Sequence, residues 1–207
     1  MQTGRTPRAE TLSDAVFAIA MTLLVLDLRT PAHDNGMLLR GLIEQWPAYV
    51  GFLASFLYIG VIWTNHHATF RQIASTDRDV MWANLGILCG TVLLPFPTAV
   101  LAAAFRSGSQ ADEQTAAILY ATLAVLMSMS WLVLFFLLHR RSYPIPTDGS
   151  LASWRAQMRR PILGSVGYAC GALLGLAVVP TASLAVFVLI PAYYALTSEG
   201  LQSTHPA

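Results

Sequence analysis

Six apolar runs, at about 12–28, 48–70, 81–105, 116–138, 162–179 and 181–198, divide this 207-residue chain. The middle three are long enough to cross roughly 30 Å of hydrocarbon as helices, and the first and last two sit at the short end of that range. One helix through the last two runs would overshoot the bilayer, so Pro180-Thr181 is read as a break between two spans. A single kinked, re-entrant segment is the competing arrangement. With 55% hydrophobic and only 11% charged residues, the chain lacks the polar surface of a water-soluble globule. The expectation is an all-α integral membrane protein, one six-helix transmembrane domain over residues 1–207, with no room for a soluble domain.

Arginine sets the orientation, because the twelve basic residues include no lysine. With a cytoplasmic N-terminus, Arg5, Arg8, Arg71, Arg78, Arg140, Arg141, Arg155, Arg159 and Arg160 lie inside, and only Arg29, Arg40 and Arg106 outside. Nine against three satisfies the positive-inside rule. Six spans then return the C-terminus to the cytoplasm, in a multi-pass protein of the cell membrane. The sizeable loops are about 29–47 outside and 139–161 inside. The first run lacks a small-residue cleavage site and is read as a retained helix rather than a removed signal peptide.

Several features call only for packing. Cys89 and Cys170 read as small buried apolar residues, and Pro95 with Pro97 as a kink in the third span. The arginine cluster of 139–161 reads as topology anchoring on anionic headgroups. Gly164, Gly167, Gly171 and Gly175 form a small-residue stripe that admits a neighbouring helix closely.

The polar residues inside the spans need partners. Ser13 and Asp14 lie near the start of the first span, and Trp63-Thr64-Asn65-His66-His67 near the end of the second. If these spans pack antiparallel, Arg8, Ser13 and Asp14 meet Trp63, Asn65 and His66 at one depth, where each satisfies the other's hydrogen bonding. His66 and His67 point about 100° apart on a helix, an unsuitable spacing for one metal. No metal and no bound cofactor is therefore expected, and nothing calls for a nucleic-acid partner.

These residues carry a resemblance. The pattern Arg-x-x-x-Phe-Ser-Asp leading into an Ala-Ile-Thr-Leu-rich helix, with Trp-x-x-His near the end of the second span, resembles the transmembrane protein 175 family of potassium channels. Arg8, Leu12, Ser13 and Asp14 stand at the first motif, with Leu12 replacing the usual phenylalanine, and Trp63 and His66 match the second. The resemblance covers the six-span layout, and its specific motifs lie in residues 8–28 and 63–70. It implies a non-enzymatic cation channel, permeable to potassium and other monovalent cations, without the Thr-Val-Gly-Tyr-Gly filter. It further implies a homotetramer in the lipid bilayer whose first helices line a central pore.

Helical geometry can be set against that implication. Ile19, Leu23 and Leu26 are spaced i, i+4, i+7, share one face, and match the family's constriction positions. Four copies would make three stacked apolar rings, a barrier that gates by dewetting and makes an ion shed water. Potassium holds its water less tightly than sodium, so such a bottleneck favours it. Thr22, about 60° from Ile19, can turn its hydroxyl toward the lumen or bond it back to the helix. Asp14, about 140° from Ile19, is assigned with Arg8, Ser13, Trp63, Asn65 and His66 to a structural network that fixes the pore helix. Asp27 at the outer end is read as a pore-mouth ring that concentrates cations, or as a solvated acid beside Arg29.

A proton-coupled secondary transporter using Asp14 and His66 as a relay is the alternative. It lacks the internal repeats expected of a transporter. A haem-bearing subunit using His66 or His67 with His139 is opposed by the position of His139 at the membrane edge.

Overall fold

The computed structural model describes residues 6–71, 73, 76–140, 151–177 and 180–197. Among these, α1 (Thr6–Leu23) tightens into a 3-10 turn, Leu24–Asp27, and is followed by α2 (Leu38–Glu44) and α3 (Trp46–Phe70). Then come α4 (Arg78–Leu93), α5 (Pro95–Ser107), α6 (Gln110–Arg140), α7 (Leu151–Ala177) and α8 (Pro180–Thr197).

Local chemistry sets several of these boundaries. The Asp77 carboxylate accepts from the backbone N–H of Asp79 and Val80, both at 3.0 Å, and caps α4. Pro95 and Pro97 remove two backbone donors, so the third span breaks at Leu94 into α4 and α5. Gly108, at φ 67°, closes α5 in the left-handed conformation that glycine adopts without a steric penalty. The kink is also braced by side chains. Tyr120 donates to Ser55 Oγ (3.3 Å), Ser55 to Thr98 Oγ1 (2.7 Å), and Thr98 to the Leu94 carbonyl (2.8 Å). This buried relay ties α3, α5 and α6 together.

Among the described residues, four helices are long and apolar enough to cross a membrane: Pro7–Asp27, Trp46–Phe70, Arg78–Ser107 across the kink, and Gln110–Arg140. Among the same residues, α7 and α8 carry the apolar stretches Pro161–Leu173 and Ala182–Leu196. α7 and α8 pack against each other as separate helices, not as one kinked segment. Their contact is the glycine stripe: a Cβ at Gly167 would lie 2.7 Å from Ile190 Cδ1, and one at Gly171 would lie 2.9 Å from Val186 Cγ1.

The structure departs from two expectations. Part of the expected 139–161 loop is helical, because α6 runs to Arg140 and α7 begins at Leu151. Arginine is a good helix former and does not end a helix. Cys89 and Cys170 are exposed on the chain, not buried, since they fall on outward faces of their helices. Arg5 and Arg141, which entered the orientation argument, lie outside the described residues, as do the side chains of Arg155 and Arg160.

α1 packs on α3 and α4, while α6 runs against α4, α5, α7 and α8. α1 is the least covered of the four long spans: 28% of its apolar window is buried, against 50%, 56% and 50% for the other three.

Candidate functional site

α1 has two contrasting faces. Ala9, Ser13, Phe17, Ala20 and Leu24, spaced by three and four residues, are buried against α3 and α4. On the other side Ile19, Leu23 and Leu26 are 56%, 39% and 65% exposed. The 3-10 turn preserves this stripe. Three residues of a 3-10 helix make one full turn, so Leu26 stands directly over Leu23, about 6 Å further along the axis.

Thr22 is exposed beside the stripe, and its hydroxyl donates to the Ile19 carbonyl at 2.8 Å. Its proton is thereby directed into the helix, which leaves the oxygen lone pairs as the polar surface it presents. Asp27 closes the 3-10 turn half-buried, with Oδ2 buried and unbonded among the described residues. Arg29 and Arg106 are the cations whose charge reaches it. The Arg29 carbonyl in turn accepts from the buried Gln45 Nε2 at 2.8 Å.

The polar residues of α1 and α3 fall into two groups. At the surface, Trp63 Nε1 donates to Asp14 Oδ1 at 2.9 Å, with Asp14 exposed and Trp63 41% exposed. Inside, His66 Nε2 donates to Asn84 Oδ1 (2.7 Å), Asn84 Nδ2 to Ser13 Oγ (3.1 Å), and Ser13 Oγ to the Ala9 carbonyl (2.8 Å). These directions are fixed by consistency: Asn84 Oδ1 can only accept, so the His66 nitrogen facing it carries hydrogen. The His66 ring is boxed by aromatics. Phe70 stacks on it at 4.1 Å between centroids, and Phe17 and Trp131 meet it edge-on at 5.2 and 6.3 Å. One imidazole thus touches α1, α4 and α6 from its seat on α3.

The grouping differs from the single network anticipated. Arg8 is exposed, and the described residues hold no ion pair between it and Asp14. Six residues of helix separate the two by about 120°, so they leave α1 in different directions. Asn65 contributes its backbone carbonyl, which accepts from Thr69 Oγ1 at 2.8 Å. Asn84 was missed. A lone amide inside the third apolar run, at the depth of His66, is the signal that marks it, since such a group needs a partner there. Among the described residues, no three His, Cys, Asp or Glu side chains converge as a metal site would require.

Comparison with known proteins matches this part of the chain most closely. Residues 8–95, which hold most of α1 and the whole Ser13–Asn84–His66 relay, match the family model described as endosomal/lysosomal potassium channel TMEM175. A potassium channel of Streptomyces collinus is 37% identical over 188 residues, covering 90% of each sequence. The crystal structure of a lysosomal potassium-selective channel TMEM175 homolog from Chamaesiphon minutus superposes with a TM-score of 0.75 at 30% identity. It covers 94% of this chain and 98% of that one. The chicken endosomal/lysosomal proton channel TMEM175 is 36% identical over 83 residues, 34% of this chain and 16% of that protein. With 37% identity over nine-tenths of both the chain and its Streptomyces relative, this all-helical protein belongs to the TMEM175 family of potassium channels.

Proposed function

We propose that four copies of this chain form a potassium-permeable cation channel lined by α1, with Ile19, Leu23 and Leu26 as its constriction. The observation that carries the reading is the coverage of α1: the least buried long span exposes an unbroken apolar stripe opposite the face that holds it to α3 and α4. Lipid alone could cover that stripe. Family membership favours identical copies, and a four-fold ring of the stripe encloses a lumen that one helix cannot.

In this reading the rings dewet when closed and tax sodium more than potassium when open. Thr22 lone pairs, free because the hydroxyl proton is held by Ile19 O, replace part of the lost hydration. Asp27 supplies negative charge at the mouth, tempered by Arg29 and Arg106. The Asp14–Trp63 and Ser13–Asn84–His66 groups brace the pore helix and carry no ions. The arginine distribution supports cytoplasmic termini, in a multi-pass protein of the cell membrane.

A relay from Asp14 to His66 is disfavoured by the bonding, because Asp14 pairs with Trp63 and His66 with an amide, which does not pass protons readily. The decisive test is the purified protein in a planar bilayer with potassium opposite sodium. Unitary currents reversing toward the potassium potential are expected. Slow, saturable flux coupled to a proton gradient, without unitary events, would overturn the proposal.

A further inference from the structure

The connection between α1 and α3 carries the short helix α2. α2 is short, yet five large apolar side chains on it or just before it are exposed: Met37 52%, Leu38 45%, Leu39 72%, Leu42 39% and Ile43 63%. At 100° per residue, Leu38, Leu42, Leu39 and Ile43 fall within an arc of about 140°. Arg40 and Glu44 occupy the next sector and pair with each other at 2.8 Å, their side chains 75% and 64% exposed. Gly41 takes the third sector and is buried.

Two contacts fix the roll of this helix. Gly41 lies so close to Pro31 that a Cβ would meet Pro31 Cβ at 3.0 Å and Cγ at 3.2 Å. Gln45, at the end of α2, holds the Arg29 carbonyl at 2.8 Å. The protein therefore grips the glycine side and turns the apolar arc outward.

The arc continues into the membrane boundary. α3, a full-length span, begins at Trp46, and Trp46 and Tyr49 in its first turn are 47% and 40% exposed. Exposed aromatics at the end of a span mark the headgroup level, where an amphipathic rim settles best. A helix with an apolar arc, a charged edge and such a position lies in the plane of the interface, its apolar side among the upper acyl carbons.

We infer that α2 is a lipid-anchoring interfacial helix: Leu38, Leu39, Leu42 and Ile43 insert into the leaflet that receives the α1–α3 connection, while Arg40 and Glu44 face headgroups and water. The occupant is the lipid surface. Exposed Trp46 and Tyr49 at the start of the next span mark the headgroup level immediately after the arc, and the exposed Arg40–Glu44 pair flanks it as a polar edge. This holds whichever helix lines the pore, so its failure would leave the channel reading untouched.

Spin labelling of the full chain in phosphatidylcholine vesicles tests it. In a Cys89→Ala, Cys170→Ala background, single cysteines replace Leu39, Ile43, Arg40 or Glu44, and each carries a nitroxide. Labels at 39 and 43 are expected to collide severalfold more with dissolved oxygen, relative to a water-soluble nickel chelate, than labels at 40 and 44. Equal nickel access at all four positions would place the arc in water and overturn the inference. Loss of both kinds of collision at 39 and 43, with broadening from neighbouring labels, would seat the arc on a second copy and overturn it as well.

Discussion

His66 Nε2 lies 2.7 Å from Asn84 Oδ1, with His66 1% and Asn84 0% exposed, and this bond joins α3 to α4 where α1 crosses both. Asn84 then holds Ser13, so a single amide positions the helix on which the proposed constriction stands. At so buried a site, an amide that donates on one side and accepts on the other has few substitutes.

Asn84→Leu removes both bonds and leaves the His66 N–H and Ser13 oxygen facing hydrocarbon. A loss of about 1–3 kcal/mol is expected, since an orphaned buried group costs its desolvation. Thermal unfolding in detergent reads it, and Ser13→Ala, which leaves His66 paired, should cost less. Equal stability of Asn84→Leu and the parent would show that this relay is not a structural tie.

Trp63→Phe keeps an aromatic ring but deletes the donor to Asp14, and Asp14→Asn keeps an acceptor but deletes the charge. Both changes act on the seating of α1. The recovered oligomer fraction by size-exclusion chromatography should therefore fall, more for Trp63→Phe, while the potassium-to-sodium permeability ratio holds. Normal assembly with altered selectivity in Asp14→Asn would place that carboxylate in the ion path instead.

Ile19→Asn puts a hydrogen-bonding group on the exposed stripe and keeps water there. Conductance or open probability should rise and discrimination between potassium and sodium should fall. Val25→Asn is the control, because two residues of 3-10 turn carry position 25 about 120° away from Leu23. Bilayer recordings in which Val25→Asn alters permeation and stripe substitutions do not would remove α1 from the pore.

Gly171→Ala places a methyl 2.9 Å from Val186 Cγ1 and 3.3 Å from Phe187 Cε1, where α7 and α8 press together. Overpacking of this kind costs about 1–3 kcal/mol. Adding Val186→Ala should recover most of the loss in detergent melting, and absence of rescue would place the strain elsewhere.

The sequence by itself determined the membrane class, the positions of the long spans and the kink at Pro95 and Pro97, because each follows from local physics. Run length must match hydrocarbon thickness, and a missing N–H breaks a helix wherever it falls. It also singled out Ser13, Asp14, Trp63 and His66, since polar groups inside a span demand partners. Which partners they take was decided only by the tertiary structure. Asn84 meets Ser13 across 71 positions of chain, a pairing that depends on how α1 sits in the crevice between α3 and α4. Asp14 turned outward to Trp63 because the roll of α1 is set by Phe17, Ala20 and Leu24 packing inward. The amphipathic character of α2 was written in residues 38–44, but the exposure of its apolar arc depends on Gly41 closing on Pro31. Periodicity tells which residues share a face, and only packing tells what that face meets.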